Sequence, residues 1–480
     1  MNRRIVAYNT HIEVYPYERG ENRYLEDFYS VYDPIFYKMN PIAYYVENDT
    51  MYLPRGTNLI LLEKQFSSTV HVSKEHDPVK SIKIKATIVP KSRIQEEAIE
   101  FLCSEGRFSS GKSYSQLSLN LEPGDGKTIA AIIAVAKEYK CRTIVILHQT
   151  KLKSQWKNEF LKASSVKEER IVDLVGSESM LGVLSGKIDG DVFLVNHQTI
   201  HQFGSKFGWE TVKKFFETIK VGVKIYDEAH KYFSNILMID FFSNTRKTFY
   251  LTATFTRTQA KEKSIFKRSF ANCYRFGEET SNYEEKRKHI YYYYVTFNSN
   301  PDPLIVRGMY NKFNISSFKY IDYALKVDEN QTLLKVLQIV MDEVQRFRGK
   351  ILLTSPKIDS TEIIADFIRQ HYSKQVSVIN SSQSVEENEL AVQADVISST
   401  MKSLGTGIDI RGLRVLINME PFTSESNMIQ LKGRLREFGP VDYTFMFDLV
   451  DVGFKDLATM GEKRKRVMSH HAKEIRLLQL

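Results

Sequence analysis

Apolar runs alternate with amphipathic segments from about Pro90 onward, and this alternation predicts a succession of strands and helices. "RTIVIL" and "DVFLVN" are short, continuously apolar runs of strand length, whereas "RIQEEAIEFL" and "TIAAIIAVAKEYK" have the length and spacing of helices. Strands that alternate with helices along a chain predict a parallel sheet that helices cover on both faces.

A second series of the same kind follows. The amphipathic helix "QTLLKVLQIVMDEVQRF" leads into the apolar strand "KILLTS", and further strands are predicted at "LRVLIN" and "YTFMFDLV". We therefore expect two α/β sheets in tandem, connected somewhere between residues 277 and 328.

The segments outside these two series have a different pattern of hydrophobic and polar residues. Near the start, "AYYVEN" and "NLILLEKQF" flank the turn "LPRGTN", and the late stretch "EKRKRVMSHHAKEIRLL" has the pattern of a basic helix. The sequence therefore predicts four parts: an accessory domain at 1–85, a first α/β domain at 86–285, a linker and second α/β domain at 286–465, and a basic helix or tail at 466–480.

Composition narrows the class of protein. Hydrophobic residues make up 42% of the 480 residues and charged residues 26%, as in an ordinary soluble globular protein, and the formal net charge of +9 favours a polyanionic partner such as nucleic acid. The three cysteines form no CxxC pair, which argues against a disulfide framework or a zinc site. The start "MNRRIVAYNTHIEV" is not a signal peptide, and the longest apolar run, 129–136, is too short to span a bilayer. We expect a cytoplasmic protein without a membrane partner.

Two stretches compete as a phosphate-binding loop. "GRFSSGKS" fits the pattern G-x-x-x-x-G-K-[ST] at every position, whereas "EPGDGKT" has Leu121 in place of the first glycine. A phosphate loop requires a strand that turns into a helix, because the backbone N–H groups at the helix start bind the phosphate. The first stretch follows a predicted helix and runs into a strand, whereas the second follows the strand "YSQLSLNL" and opens a helix. The sequence predicts the imperfect motif as the phosphate loop, and the perfect one as an exposed hairpin or turn.

An acidic pair stands where such a loop needs it. In "VKIYDEAH", Asp227 and Glu228 come directly after an apolar strand. Asp227 suits Mg²⁺ ligation and Glu228 suits polarisation of an attacking water. The alternative without a catalytic role is that Asp227 and Glu228 form an ordinary solvent-exposed turn.

Nine short motifs in a fixed order resemble those of the superfamily-2 helicases of the DEAH-box type. The resemblance covers roughly residues 88 to 450, and within the superfamily it is closest to the UvsW-type branch-migration helicases of tailed phages and the XPB-like translocases. In order, the motifs are "RIQ" (Q-motif), "EPGDGKT" (I), "LKSQW" (Ia), "VNHQT" (Ib), "DEAH" with "TAT" (II and III), "KILLTS" (IV), "GTGIDI" (V) and "QLKGRLR" (VI).

This resemblance implies two tandem RecA-like parallel-sheet domains, preceded by a small mixed α/β or β-rich N-terminal domain, with ATP and Mg²⁺ bound between conserved motifs. The implied catalytic residues are Lys127, Glu228, Arg434 and Arg436. The implied metal ligands are Thr128 and Asp227. The implied nucleotide-binding residues are Arg93, Gln95, Gly124, Asp125, Gly126, Lys127, Thr128, Gly407, Asp409 and Gln430. The residues expected to contact nucleic acid are His148, Gln149, Thr199 and Thr406, together with Arg55 in the "LPRG" turn.

The resemblance implies a monomeric, ATP-dependent helicase or translocase that remodels forked or branched duplex DNA in replication, recombination or repair, in the host cytoplasm if the chain is viral. An RNA helicase or transcript-release factor, and a clamp that uses ATP only as a switch, are the alternatives. The accessory domain either holds duplex DNA or only caps the first motor domain.

The chain departs from the family pattern at two motifs. His148 and Gln149 stand where motif Ia usually has Pro-Thr. In motif VI the second arginine, Arg436, is one position early, with Glu437 in its usual place. Two candidates also have bland alternatives, since Gln95 could be an ordinary helix residue and Trp156 a core residue.

Overall fold

The computed structural model describes residues 3–33, 37–104, 115–121, 125–252, 260–276, 288–311, 314–404, 410–435 and 443–480, except for the side chains at 260, 261, 385 and 389. These residues form two compact units, Met1–Glu284 and Glu285–Leu480. In the described part of the chain, no helix combines the length and the apolar character needed to cross a membrane.

The first unit begins with a small mixed domain, as the sequence predicted. Five of its strands form a sheet in the order β5-β6-β2-β1-β7, in which β1 and β7 are parallel and the other pairs antiparallel, and β3 pairs with β4. The elements are β1 (Arg4–Ala7), β2 (His11–Tyr15), α1 (Arg23–Phe28), β3 (Ser30–Asp33), β4 (Lys38–Pro41), β5 (Tyr45–Glu47), β6 (Thr50–Pro54), α2 (Leu59–Phe66) and β7 (Val70–Val72).

A seven-stranded parallel sheet follows, in the order β10-β11-β9-β12-β13-β8-β14. Its strands are β8 (Gln116–Asn120), β9 (Thr143–Leu147), β10 (Ile171–Leu174), β11 (Val192–Asn196), β12 (Val223–Asp227), β13 (Lys247–Thr252) and β14 (Tyr274–Phe276). Its helices are α3 (Arg93–Cys103), α4 (Lys127–Ala134, extended by a π-helical turn at Val135–Tyr139), α5 (Leu152–Ala163), α6 (Gly176–Leu184), α7 (His197–Phe207), α8 (Trp209–Ile219), α9 (Phe233–Phe241) and α10 (Ala260–Ser269), with a short 3-10 turn at Glu168–Arg170. All five residues of the central strand β9 are buried, because helices cover both faces of a parallel sheet.

The N-terminal sheet and the α/β domain of the first unit share one hydrophobic core. The ring of Tyr52 on β6 lies 4.8 Å from that of Phe242 after α9, and the same buried cluster includes Ile12, Leu53 and Phe215. This continuity favours the alternative in which the N-terminal domain caps the motor.

A second contact fixes the N-terminal domain to the segment after α10. The Gly56 N–H donates a 3.2 Å hydrogen bond to the Ser269 carbonyl, and a Cβ at Gly56 would lie 2.3 Å from the Arg268 carbonyl oxygen. Only glycine permits this approach of the two backbones. The "LPRG" turn therefore packs against the α/β domain of the first unit.

The second unit contains another seven-stranded parallel sheet, in the order β19-β20-β18-β21-β22-β15-β23. Its strands, with a small β16–β17 pair, are β15 (Ile290–Phe297), β16 (Tyr310–Asn311), β17 (Asn314–Ile315), β18 (Lys350–Thr354), β19 (Val376–Ile379), β20 (Val396–Ser399), β21 (Leu413–Asn418), β22 (Thr444–Asp451) and β23 (Glu474–Gln479). Its helices are α11 (Pro303–Gly308), α12 (Ser317–Asp322, extended by a π-helical turn at Tyr323–Val327), α13 (Thr332–Val344), α14 (Ile358–His371), α15 (Val385–Ala391), α16 (Met401–Leu404), α17 (Glu425–Lys432) and α18 (Lys455–His471).

Two strands of this sheet differ from the sequence-based prediction. The predicted linker contains β15, which pairs with β22 along its whole length. The predicted basic C-terminal helix at 466–480 is wrong beyond His471, because Glu474–Gln479 forms the edge strand β23 against β15. The sequence did not predict β15, because four consecutive tyrosines in "IYYYYVTF" show no clear alternation of apolar and polar residues.

Candidate functional site

The loop "EPGDGKT" joins β8 to α4, in the strand-to-helix order that the sequence predicted. Gly126 precedes the helix with φ at +83°, a left-handed conformation that glycine adopts without strain. Lys127 is the first residue of α4, and its Nζ donates a 2.8 Å hydrogen bond to the Leu121 carbonyl. Lys127 thus stands at the positive end of the helix, where an anion is stabilised. Thr128 follows it and is half-buried.

The Q-motif glutamine supports this loop. Gln95 is 3% exposed, its Nε2 donates to the Gly126 carbonyl at 3.3 Å, and its Oε1 accepts from the Lys91 N–H at 2.7 Å. A Cβ at position 126 would lie 2.2 Å from Gln95 Nε2. Gln95 is therefore not a surface residue of the helix, and it holds the phosphate loop against the start of α3. Its contact with adenine stays a prediction.

The acidic pair lies at the carboxyl end of β12. Asp227 Oδ2 accepts a 3.0 Å hydrogen bond from Trp156 Nε1, and Asp227 Oδ1 accepts one of 3.0 Å from the Glu228 N–H. Glu228 has φ at +52°, which is costly for a residue with a Cβ. Trp156, 1% exposed on α5, thus orients Asp227 besides filling the core. The "SQW" motif marked this residue, but its partner lies 71 positions away.

Burial and opposing charges set the ionisation of this pair. Burial, and after it the charge of Glu228, raises the pKa of Asp227 above its usual range. Burial also raises the pKa of Glu228, but the charges of Lys127, His230 and Lys231 outweigh burial, so that the net shift is downward. Glu228 is therefore ionised at neutral pH and able to accept a proton.

Mg²⁺ fits this site. An additional cation beside Asp227 would relieve the electrostatic cost of two adjacent buried carboxylates. Among the described residues, no three His, Cys, Asp or Glu side chains are grouped as metal ligands. A P-loop site needs no such group, since Mg²⁺ there takes one hydroxyl and one carboxylate from the protein and completes its shell with water and phosphate. Thr128 and Asp227 would supply those two groups.

Motifs II and III are connected through a histidine. His230 Nδ1 lies 2.8 Å from Thr252 Oγ1, at the end of β13, and 3.4 Å from Glu228 Oε2. The position of Glu228 is thereby coupled to the end of the neighbouring strand. The other two residues of "TAT" lie outside the described residues.

Polar groups of a second kind follow β9, which is adjacent to β12, and β11, which is adjacent to β9. Both ring nitrogens of His148, Oε1 of Gln149, Oδ1 of Asn196 and Nε2 of His197 are buried and, within the described ranges, have no hydrogen-bond partner. Burial, and after it Lys231, lowers the pKa of His148 to about 4, and burial lowers that of His197 to about 4, so both rings are neutral at pH 7. Buried polar atoms without partners are costly, which makes this edge a candidate site for a ligand. Sequence reasoning had selected the first two residues but not Asn196 or His197.

The remaining predicted residues lie in varied settings. Arg93 is exposed and donates to Glu97 on its own helix. Thr199 is buried on α7. Arg55 is half-buried, burial lowers its pKa, and its buried Nη1 has no hydrogen-bond partner among the described residues. On the second unit, Gln430 lies on α17 and Arg434 donates to the Leu404 carbonyl. Asp125 is described and half-buried. Gly124, Thr406, Gly407, Asp409 and Arg436, with the loop "GRFSSGKS", lie outside the described residues.

A lysine at a strand-to-helix turn, facing a carboxylate pair at the end of another strand of the same parallel sheet, is the arrangement of the P-loop nucleoside triphosphatases. Two family models match the chain: "Type III restriction enzyme, res subunit" at residues 89–257 and "Helicase conserved C-terminal domain" at residues 330–439. The chain belongs to the superfamily-2 helicases, enzymes that hydrolyse ATP.

Known proteins match it at low identity. The putative DNA 3'-5' helicase Rad25 of Haloarcula marismortui is 27% identical over 144 residues, which are 30% of this chain and only 21% of that relative. The ATP-dependent Type ISP restriction-modification enzyme LlaBIII, in a structure bound to DNA, shares the fold with a TM-score of 0.53 and 14% identity, over 82% of this chain and 32% of that one. The structure of T4 UvsW aligns over 100% of both chains, with 15% identity and a TM-score of 0.37.

Proposed function

We propose that this chain is an ATP-driven translocase that remodels or unwinds forked or branched duplex DNA. One observation carries the proposal: two sets of polar groups lie side by side at the carboxyl edge of the first parallel sheet. The charged set consists of Lys127, in the connection after β8, and of Asp227 and Glu228, at the carboxyl end of β12. The neutral set consists of His148, after β9, and His197, after β11. Because β12, β9 and β11 are adjacent strands, ATP and a nucleic acid strand would be held by one rigid sheet.

In the proposed ATPase, Lys127 binds the β- and γ-phosphates and Glu228 accepts a proton from the attacking water. Thr128 and Asp227 hold Mg²⁺, which when bound neutralises charge on the phosphate oxygens. Trp156 keeps the Asp227 carboxylate in place. The other residues proposed to contact nucleotide are Arg93, Gln95, Gly124, Asp125, Gly126, Gly407, Asp409, Gln430, Arg434 and Arg436.

The nucleic acid partner is proposed to contact His148, Gln149, Thr199 and Thr406. A net charge of +9 supports a polyanionic partner. DNA rather than RNA is supported by the name of the Haloarcula relative and by the resemblance of the motifs to branch-migration helicases. Arg55 is proposed as a further contact, since its half-buried guanidinium has an Nη1 without a hydrogen-bond partner among the described residues. We also propose that the chain acts as a monomer in replication, recombination or repair. Its origin is proposed to be a phage, and its location the host cytoplasm.

The test is ATP hydrolysis measured with four nucleic acids: duplex DNA, single-stranded DNA, a four-way junction and RNA. We expect the junction and duplex to stimulate kcat most, with unwinding or branch migration of labelled junctions at the same protein concentration. Glu228→Gln serves as the control, since it should bind ATP and DNA but not hydrolyse. Strongest stimulation by RNA would identify an RNA helicase, and ATP-dependent DNA binding without hydrolysis would identify a clamp; either result contradicts the proposal.

A further inference from the structure

A cavity of about 430 Å³ lies beside motif II and is not used by the proposed ATPase. Its lining residues come from the N-terminal domain, from the turn after motif II and from α10: Pro41, Ile42, Lys231, Tyr232, Phe233, Ser234 and Glu262. Cavities that bind small ligands have volumes of about 300–1,000 Å³ and combine apolar walls with a few polar groups. This cavity has both features.

Tyr232 is an aromatic ring held at the mouth of this cavity. It is 51% exposed, and its ring lies 4.7 Å from that of His197, with 34° between the ring planes. Its φ of +54° is a left-handed conformation that a bulky residue adopts only when its surroundings enforce it. The backbone supplies part of this constraint, because the N–H groups of Asn235 and Ile236 both donate to the Tyr232 carbonyl.

His197, the partner of Tyr232, belongs to the polar edge described above. Its Nδ1 lies 3.0 Å from Asn235 Nδ2, which donates to it, so the neutral ring has its proton on Nε2. The residue is 4% exposed, and that Nε2 has no partner among the described residues. A phosphate oxygen of a strand lying over β9 and β11 would accept this hydrogen bond.

We propose that Tyr232 and the adjoining cavity bind one unpaired base of the nucleic acid strand whose backbone lies on His148, Gln149, Asn196 and His197. Stacking on aromatic rings is how proteins hold unpaired bases without regard to sequence. Lys231 and Ser234 offer polar groups to the edge of the base, as pockets for unstacked bases do. This inference rests on the proposed function.

A base at this position would act on the ATPase through a short path. The Lys231 N–H donates a 2.9 Å hydrogen bond to the Glu228 carbonyl, so Tyr232 is separated from the proposed general base by a single turn. Both ends of this turn, Glu228 and Tyr232, have left-handed φ values. A base bound at this site would therefore affect the conformation of the turn that carries Glu228.

The experiment uses the full chain and a forked DNA in which 2-aminopurine replaces one base at a time along the unpaired arms. Wild-type protein is expected to quench the fluorescence at one position of one arm, by stacking with Tyr232. Tyr232→Leu should remove this quenching and weaken binding of the fork about 5- to 150-fold, the range for loss of one aromatic stacking partner. Tyr232→Phe should retain both properties.

Tyr24→Leu is the matched control, because Tyr24 is 62% exposed on α1 and does not line the cavity. A second measurement needs no variant: 5-iodouracil at the quenched position should cross-link to Tyr232 on irradiation. Quenching that survives in Tyr232→Leu, or a cross-link that maps elsewhere, overturns the base site alone. Absence of DNA binding by the wild-type chain would overturn the proposed function as well.

Discussion

Replacement of Trp156 by phenylalanine removes one hydrogen bond from the candidate metal ligand and keeps an aromatic ring in the core. The bond joins Trp156 Nε1 to Asp227 Oδ2 at 3.0 Å, and it is one of two that hold this carboxylate, the other coming from the Glu228 N–H. A hydrogen bond to a charged group contributes about 1.5–3 kcal/mol. Loss of a group that orients a metal ligand costs about 10- to 100-fold in metal affinity or activity.

We therefore expect Trp156→Phe to lower kcat for ATP hydrolysis, or the apparent affinity for Mg²⁺, by about 10- to 100-fold. The assay is steady-state ATP hydrolysis over a series of Mg²⁺ concentrations at saturating ATP, with thermal unfolding to establish that the variant is folded. Asp227 keeps its backbone hydrogen bond, so the loss should be smaller than that caused by removing the carboxylate itself.

The second tryptophan of the chain is the control. Trp209 is 7% exposed and stacks on Phe242 in the other hydrophobic cluster of the first unit, so Trp209→Phe removes similar apolar contacts without changing Asp227. Its Mg²⁺ dependence should equal that of the wild-type protein. A folded Trp156→Phe variant with wild-type kcat and wild-type Mg²⁺ dependence would refute the positioning role.

Three further predictions follow from the first unit. Lys127→Ala should abolish ATP hydrolysis, because Lys127 stands at the start of a helix that follows a strand. Lys112→Ala should retain most of it, since the sequence around Lys112 predicts a helix followed by a strand; equal loss in both would contradict the choice of loop. Asp240→Ala should lower the free energy of unfolding, measured by urea titration, by about 3–5 kcal/mol. The reason is that the fully buried ammonium of Lys224, 2.6 Å from Asp240 Oδ1, loses its counter-charge. A change below about 1 kcal/mol would contradict this. Deletion of residues 1–85 should give an insoluble or unfolded motor, because it uncovers the shared core, and cooperative unfolding of a soluble truncated chain would show instead that the motor folds alone.

The sequence alone was sufficient to choose the phosphate loop. Strand and helix have different periods, so the order of "YSQLSLNL" and "TIAAIIAVA" around "EPGDGKT" was readable locally, and the structure has β8 followed by α4. The two parallel sheets and the place of Asp227 and Glu228 after β12 followed from the same local patterns. These features depend on neighbours in the chain, which is why a pattern of one sequence can specify them.

The tertiary structure alone decided which side chains from distant segments contact each other. No local pattern indicates that Trp156 donates to Asp227, that Gln95 holds Gly126, or that the Tyr232 ring packs against that of His197, because each pair joins separate elements of the fold. The N-terminal domain has the same aromatic-rich pattern whether its aromatic side chains contact DNA or fill a core, and only the folded chain shows that Tyr52 packs on Phe242 in a shared core.

The strands at the second sheet illustrate the same limit. The sequence around β23 has the charges of a helix, but it follows α18 at a point where the edge of β15 is open, and pairing with that edge satisfies its backbone groups. Local propensity is worth only a fraction of a kcal/mol per residue, and the partner available in the folded chain outweighs it. Period and order along the chain therefore came from the sequence, whereas strand partners, shared cores and side-chain contacts between motifs depended on burial and hydrogen bonding that exist only once the chain has folded.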